Sequence, residues 1–373
     1  MRIGIWHQSG AKLDGEQVRV APAGGAEAAI VHTAEALAGL GAEVDVWANC
    51  NATLYFEGVR YVPNHDADID LRKERYDAFV IVRSLDALQL PFLARGTFYW
   101  ALDNLEASGS GHDADLAEAL EGDRVQSVFA SSQWQADRLT ERSRIAQGSL
   151  HVIGNGLSIA AQKLLGVREH KHPFVLHTLP PDRALAELIA IFPGVRRRVP
   201  RAQLHAYSGS TIHGVDQALD QERFGALYEQ LGRIEGAKRL DPVEPRALYS
   251  FLRRASVWAY PTRVEEAFSV STLEAQAGGA VPVVSAVGAL PERIEHGVDG
   301  FLVPGDPAEE SVRAEFEDYI VRLLEDDDLR DRMSRAARER ALAPSAGYGA
   351  VAARMLSVLE AETQGRDLRE RTS

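Results

Sequence analysis

Short apolar runs alternate with stretches in which apolar residues recur every three or four positions, a pattern that predicts a doubly wound α/β protein. The run from Ile3 to His7 reads as a first strand. After a polar loop, Gly24 and Gly25 open a segment from Ala26 to Leu40 in which Ile30, Val31, Ala34, Leu37 and Leu40 keep helical spacing. Gly39 and Gly41 close that helix. Further strands are expected at 43–48 and near 59–63, 77–83, 97–102, 126–130 and 150–154. Residues 157–172 are polar and read as a linker, followed by a second set of strands at 174–178, 203–207, 237–243, 255–260, 281–285 and 300–303. Strands separated by helices imply parallel sheets covered on both faces.

From about residue 308 onward the chain is helical and highly charged, with Tyr319, Ile320, Leu323, Leu324 and Leu329 as its apolar stripe. A last helix is expected from Tyr348 to Leu359, and residues 363–373 read as a disordered tail. The pattern gives two domains, 1–157 and 158–344, with the helix at about 345–362 rejoining the first.

Composition narrows the function classes. The 373 residues carry a formal net charge of −13, which argues against nucleic-acid binding. Residues 1–157 hold 13 Lys/Arg and 22 Asp/Glu, a net of −9, so docking on anionic membranes is not expected either. Trp134 with Arg138, Arg142 and Arg144 is a local basic patch. No run approaches the roughly 20 apolar residues that span a bilayer, and the single cysteine, Cys50, reads as a buried thiol. A soluble cytoplasmic protein is expected. The sequence sets no oligomeric state.

Candidate chemistry concentrates between Tyr260 and Pro282. Glu266 and Glu274 lie eight residues apart, with Phe268, Ser269, Val270, Ser271 and Thr272 between them. Ser271 and Glu274 fit a capping box, in which Ser271 caps a helix and Glu274 reaches back to it. The other reading places Glu274 on the first turn of a helix whose free N–H groups hold phosphate, with the carboxylate on a ribose diol. Glu266 lies in the preceding loop, where a carboxylate has little structural work. No Cys/His/Asp cluster has metal-ligand spacing, so no metal is expected.

This stretch resembles the paired-glutamate motif of retaining GT-B glycosyltransferases of the GT4 family (glycosyl transferases group 1). The match runs through Glu266, Phe268, Glu274 and Ala275, then Ala277 to Pro282, Gly288 to Glu292, and His296 to Val303. Gly24, Gly25 and Glu27 are similar to the family's glycine loop, and Phe129–Trp134 and Ile153–Gly156 to its last acceptor-domain elements. The resemblance implies two Rossmann-like domains facing across a cleft, the first for an acceptor and the second for a nucleoside-diphosphate sugar. It implies transfer of the sugar to an acceptor hydroxyl with retention, without cofactor or metal. Glu266 and Arg183 would be catalytic, and Gly24, Gly25, Phe268, Ser269, Val270, Ser271 and Glu274 would bind the donor.

The sequence departs from the family in three places. Thr178 stands where an arginine is usual, leaving Arg183 as the cation on the diphosphate, with Arg263, Lys238 and Arg239 as possible replacements. Ser269 replaces a glycine. Leu102 replaces a histidine and is followed by Asp103, the candidate acceptor-side residue. A non-catalytic sugar-nucleotide binder is the alternative. A Rossmann oxidoreductase lacks the Gly-x-Gly-x-x-Gly turn it needs after the first strand.

Overall fold

The computed structural model describes all residues except 22, 66, 103–111, 211–214 and 371–373. The chain divides into two units: residues 1–19, 25–156 and 348–373 form the first, and 20–24 and 157–347 the second.

The first unit is built on β1 (Arg2–His7), β2 (Glu43–Ala48), β3 (Leu54–Phe56), β4 (Val59–Pro63), β5 (Arg75–Val82), β6 (Leu93–Ala101), β7 (Ser127–Ala130) and β8 (Leu150–Val152). Their order across the sheet is β3-β4-β2-β1-β5-β6-β7-β8, parallel except for the β3/β4 hairpin. The central strands are buried on both faces, which explains why they read as continuous apolar runs. The helix Gly25–Gly39 and the final helix Tyr348–Thr363 belong to this unit. Final-helix residues Val351, Ala352, Met355 and Leu359 are buried, and Glu362 accepts from Ser127 Oγ at 2.6 Å and pairs with His151 Nε2 at 3.1 Å.

The second unit is built on β9 (His172–His177), β10 (Gln203–Tyr207), β11 (Ala237–Leu240), β12 (Ala255–Tyr260), β13 (Val281–Ser285) and β14 (Phe301–Val303). Its sheet is wholly parallel in the order β11-β10-β9-β12-β13-β14. One apolar cluster, including Leu188, Phe192, Val257 and Phe316, and another, including Trp258, Tyr260, Phe268 and Leu273, form its core.

Three expectations are corrected. The polar stretch 157–172 contains the helix Ile159–Leu165: Ser158 accepts from Ala161 N–H at its start, and Ala161 and Leu165 bury one narrow stripe. The tail is not wholly disordered, because β15 (Arg369–Glu370) adds antiparallel to β6. β3 was missed because three residues carry no period. Its signal is the turn Glu57-Gly58, both at positive φ (46° and 80°), as a tight hairpin requires. Among the described residues no helix is long and apolar enough to cross a membrane.

Candidate active site

In the second unit the chain winds outward from β9 through β10 to β11, and in the other direction from β12 through β13 to β14. The switch point therefore lies between β9 and β12, and the carboxyl ends of such strands are where open α/β sheets bind ligands. Arg183 follows β9 by six residues, on a short turn at Pro181–Arg183, and Glu266 follows β12 by six. Arg183 Nη1 donates to Glu266 Oε1 at 2.7 Å, and Tyr260 OH donates to the same oxygen at 2.6 Å. Burial would lower the Arg183 pKa, but Glu266 and Tyr260 outweigh it and hold the guanidinium firmly charged. Burial, reinforced by the Glu266 charge, keeps the Tyr260 hydroxyl protonated far above its usual range.

The backbone at Glu266 is fixed from behind. Its carbonyl accepts from Ala289 N–H at 2.8 Å, and Gly288 sits against it at φ 58°. A Cβ at Gly288 would lie 2.5 Å from the Glu266 nitrogen. Gly288→Ala is therefore expected to cost about 2 kcal/mol or more of stability, from strain and displaced backbone together. Chemical denaturation checks this, and an unchanged midpoint would contradict the packing.

The helix Val270–Gly278 begins differently from the capping-box expectation. Ser269, not Ser271, is its N-cap, in the left-handed region at φ 67°, and no side chain caps the first turn. Ser269 Oγ bonds instead to Thr272 Oγ1 at 2.8 Å. The left-handed backbone explains why glycine suits that position. The first-turn N–H groups at Val270, Ser271 and Thr272 are left for solvent or an anion. Phe268, just before them, is buried with the Arg293 guanidinium 4.2 Å from its ring centre.

Glu274 does not reach back to the helix start. Its Oε1 accepts from Tyr249 OH at 3.1 Å. Desolvation pushes its pKa up to about 7, and the Tyr249 hydrogen bond only partly opposes this. The two glutamates thus have opposite settings: Glu266 has a cation beside it, and Glu274 has none printed by the geometry except a phenol.

Thr178 Oγ1 accepts from Trp258 Nε1 at 2.9 Å, so that position supports the strand β12 and supplies no charge. The candidate substitutes are engaged elsewhere. Arg263 pairs with Asp306 at 2.6 Å and Glu187 at 3.7 Å. Arg239 pairs with Asp241 at 3.2 Å and covers the Tyr228 ring, and Lys238 is exposed. Sequence reasoning missed Tyr260, Gly288, Tyr249 and Arg293. Tyr260 and Gly288 could have been found, as a hydroxyl at a strand's carboxyl end and as a glycine inside the matched stretch.

Gly24 is buried and Gly25, exposed, opens the helix Gly25–Gly39 in the first unit's sequence. A Cβ at Gly25 would meet nothing within 4 Å, so local packing does not demand a glycine there. Asp103 lies outside the described residues, and Leu102 beside it is buried.

Comparison with known proteins places this geometry in a class and then in a family. The fold is GT-B. The chain resembles sucrose-phosphate synthase from Thermosynechococcus elongatus with a TM-score of 0.72 at 18% identity, covering 96% of this chain and 98% of that one. It resembles Anabaena HepE, solved with UDP-glucose, with a TM-score of 0.70 at 17% identity, covering 97% and 100%. Residues 168–340, all within the second unit, match the family described as Glycosyl transferases group 1, and through this domain the protein is a group 1 glycosyltransferase of GT-B fold. Curated relatives include the D-inositol 3-phosphate glycosyltransferases of Kribbella flavida, 32% identical over 200 residues (52% of this chain, 44% of the relative), and Corynebacterium glutamicum, 28% over 248 residues (66% and 57%). The chain thus spans about half the length of the curated relatives it matches.

Proposed function

We propose that this protein transfers a sugar from a nucleoside-diphosphate sugar to an acceptor hydroxyl, with retention at the anomeric carbon and without a metal. The observation that carries the reading is the Arg183–Glu266–Tyr260 constellation at the β9/β12 switch point, beside an uncapped helix N-terminus. The diphosphate takes the first-turn N–H groups at Val270–Thr272 and the Arg183 guanidinium, and Glu266 takes hydroxyls of the transferred sugar. Glu274 accepts from the ribose.

In this reaction the bond between the anomeric carbon and the diphosphate oxygen breaks while the acceptor oxygen bonds the same carbon on the same face. The acceptor proton passes to a departing phosphate oxygen, so no protein nucleophile is needed. The protein's share is charge stabilisation and positioning. The UDP-glucose complex of HepE and the names of the inositol-phosphate relatives make UDP-sugars the first donors to test and a phosphorylated polyol the first acceptor.

The test is a panel of UDP-, GDP-, ADP- and TDP-sugars, read by thermal shift and by release of nucleoside diphosphate, in the presence and absence of EDTA. One donor is expected to stabilise the protein and to turn over, with EDTA without effect and with the α or β configuration of the donor kept in the product by NMR. A second reading, a non-catalytic sugar-nucleotide binder, is favoured by the Thr178–Trp258 hydrogen bond, which leaves one cation fewer at the diphosphate. Stabilisation by a donor with no product under any condition would decide for it.

A further inference from the structure

The first unit has a switch point of its own. In its sheet β1 lies between β2 and β5, so the chain winds one way from β1 and the other way from β5. Three polar side chains gather at the carboxyl ends of those strands. His7 is the last residue of β1, Arg83 the first after β5, and Glu27 stands in the first turn of the helix Gly25–Gly39. Glu27 Oε1 lies 3.5 Å from His7 Nε2 and 3.6 Å from Arg83 Nη1.

Three observations set this cluster apart from an ordinary surface ion pair. His7 is fully buried, and neither ring nitrogen completes a hydrogen bond, although Nε2 faces the first helical turn. The Arg83 backbone is held in the left-handed region at φ 68°, a conformation that costs a non-glycine residue energy and gathers at functional sites. The charges are layered: the Arg83 side chain keeps 31% of its surface exposed and Glu27 11%. A ligand arriving from solvent therefore meets the guanidinium and the helix N–H groups, with the carboxylate behind them. Burial pushes the Glu27 pKa up, but His7 and Arg83 outweigh it and hold it at about 2, so the carboxylate behind Arg83 stays ionised.

We propose that His7, Glu27 and Arg83 form an oxyanion-recognition site at the β1/β5 switch point, and that its ligand is a phosphate monoester carried by the acceptor. Arg83 contacts the phosphate together with the N-terminus of the helix Gly25–Gly39. Glu27 is a positioning residue that aims the guanidinium. This assignment rests on the glycosyltransferase reading only for the word acceptor; the binding of a phosphate monoester stands by itself.

The experiment titrates the full chain with inorganic phosphate and with glucose 6-phosphate against glucose, following the unfolding midpoint. Arg183→Gln serves as the variant that removes the cation of the other candidate phosphate site. Wild type and Arg183→Gln are both expected to be stabilised by glucose 6-phosphate and not by glucose. In Arg83→Gln the apparent Kd is expected to rise about tenfold or more, the worth of one charge-assisted contact. Arg83→Lys, which keeps the charge and loses the planar fork, retains part of the effect and serves if Arg83→Gln fails to fold. Glu27→Gln weakens binding less than Arg83→Gln while preserving selectivity for the phosphorylated sugar. No phosphate-dependent shift in wild type, or an equal shift in Arg83→Gln and Arg83→Lys, overturns the proposal. Loss of the shift in Arg183→Gln with retention in Arg83→Gln assigns phosphate to the other unit and overturns it as well. Turnover of a nucleotide sugar without the phosphate-dependent shift sinks only this site and leaves the proposed function standing.

Discussion

Arg183→Ala is expected to lower donor turnover by about 10²–10³-fold, the usual cost of removing one preorganised group aimed at developing charge. The argument starts from the ion pair at 2.7 Å, in which Arg183 keeps 38% of its side-chain surface exposed and Glu266 17%. A pair this open to solvent contributes little to stability, so the variant folds with nearly the wild-type midpoint. What it loses is the guanidinium at the β9 end of the switch point, the nearest fixed cation to the uncapped helix N-terminus by sequence and topology. Glu266→Ala is expected to lower turnover to a similar degree by a different route. It leaves Arg183 free to hold phosphate, so donor binding survives while the transferred sugar loses its orienting carboxylate. Tyr260→Phe keeps the ion pair and removes only the 2.6 Å hydrogen bond, and a loss of about tenfold or less is expected. Steady-state kinetics with a validated donor check the series. Wild-type rates in both Arg183→Ala and Glu266→Ala would show that the chemistry lies elsewhere.

How much of this was legible beforehand follows from where period and chemistry coincide. The buried parallel strands were legible because burial on both faces makes each an unbroken apolar run, as at Phe79–Val82 and Val257–Tyr260. Elements below one period were not: β3 has three residues, and the helix Ile159–Leu165 buries only Ala161 and Leu165 of its seven. Within the site the sequence identified Glu266 and Arg183 as partners in function, and the structure joins them through a shared oxygen with Tyr260. It misassigned the helix start because Ser271 and Glu274 satisfy the spacing of a capping box. Spacing says nothing of φ, and the left-handed turn at Ser269 moves the cap by two residues. The carboxylate that should have reached back then turns to Tyr249, 25 residues earlier in the chain, a contact no local pattern encodes.

That contact sets the second large effect, on the pH dependence of donor binding. Glu274 has its folded pKa raised to about 7 by desolvation, against a usual value near 4.5. Between those values the folded protein holds a proton that the unfolded chain has released, so this group's contribution to stability falls as pH rises from about 4.5 to about 7. Donor binding runs the other way. A protonated Glu274 has lost acceptor capacity toward the ribose hydroxyls, and the ionised form gains it. The donor KM is therefore expected to fall as pH rises through about 7, and Glu274→Gln to raise KM and remove that dependence. Tyr249→Phe sharpens the test because the phenol favours the ionised form. Without it the Glu274 pKa moves further up, and the KM limb shifts to higher pH with kcat little changed. A purely structural Tyr249 would lower the unfolding midpoint and leave the limb where it was. A wild-type KM that is flat from pH 5.5 to pH 8.5 (roughly one and a half units on either side of the expected midpoint) would remove Glu274 from the ribose and return it to the helix.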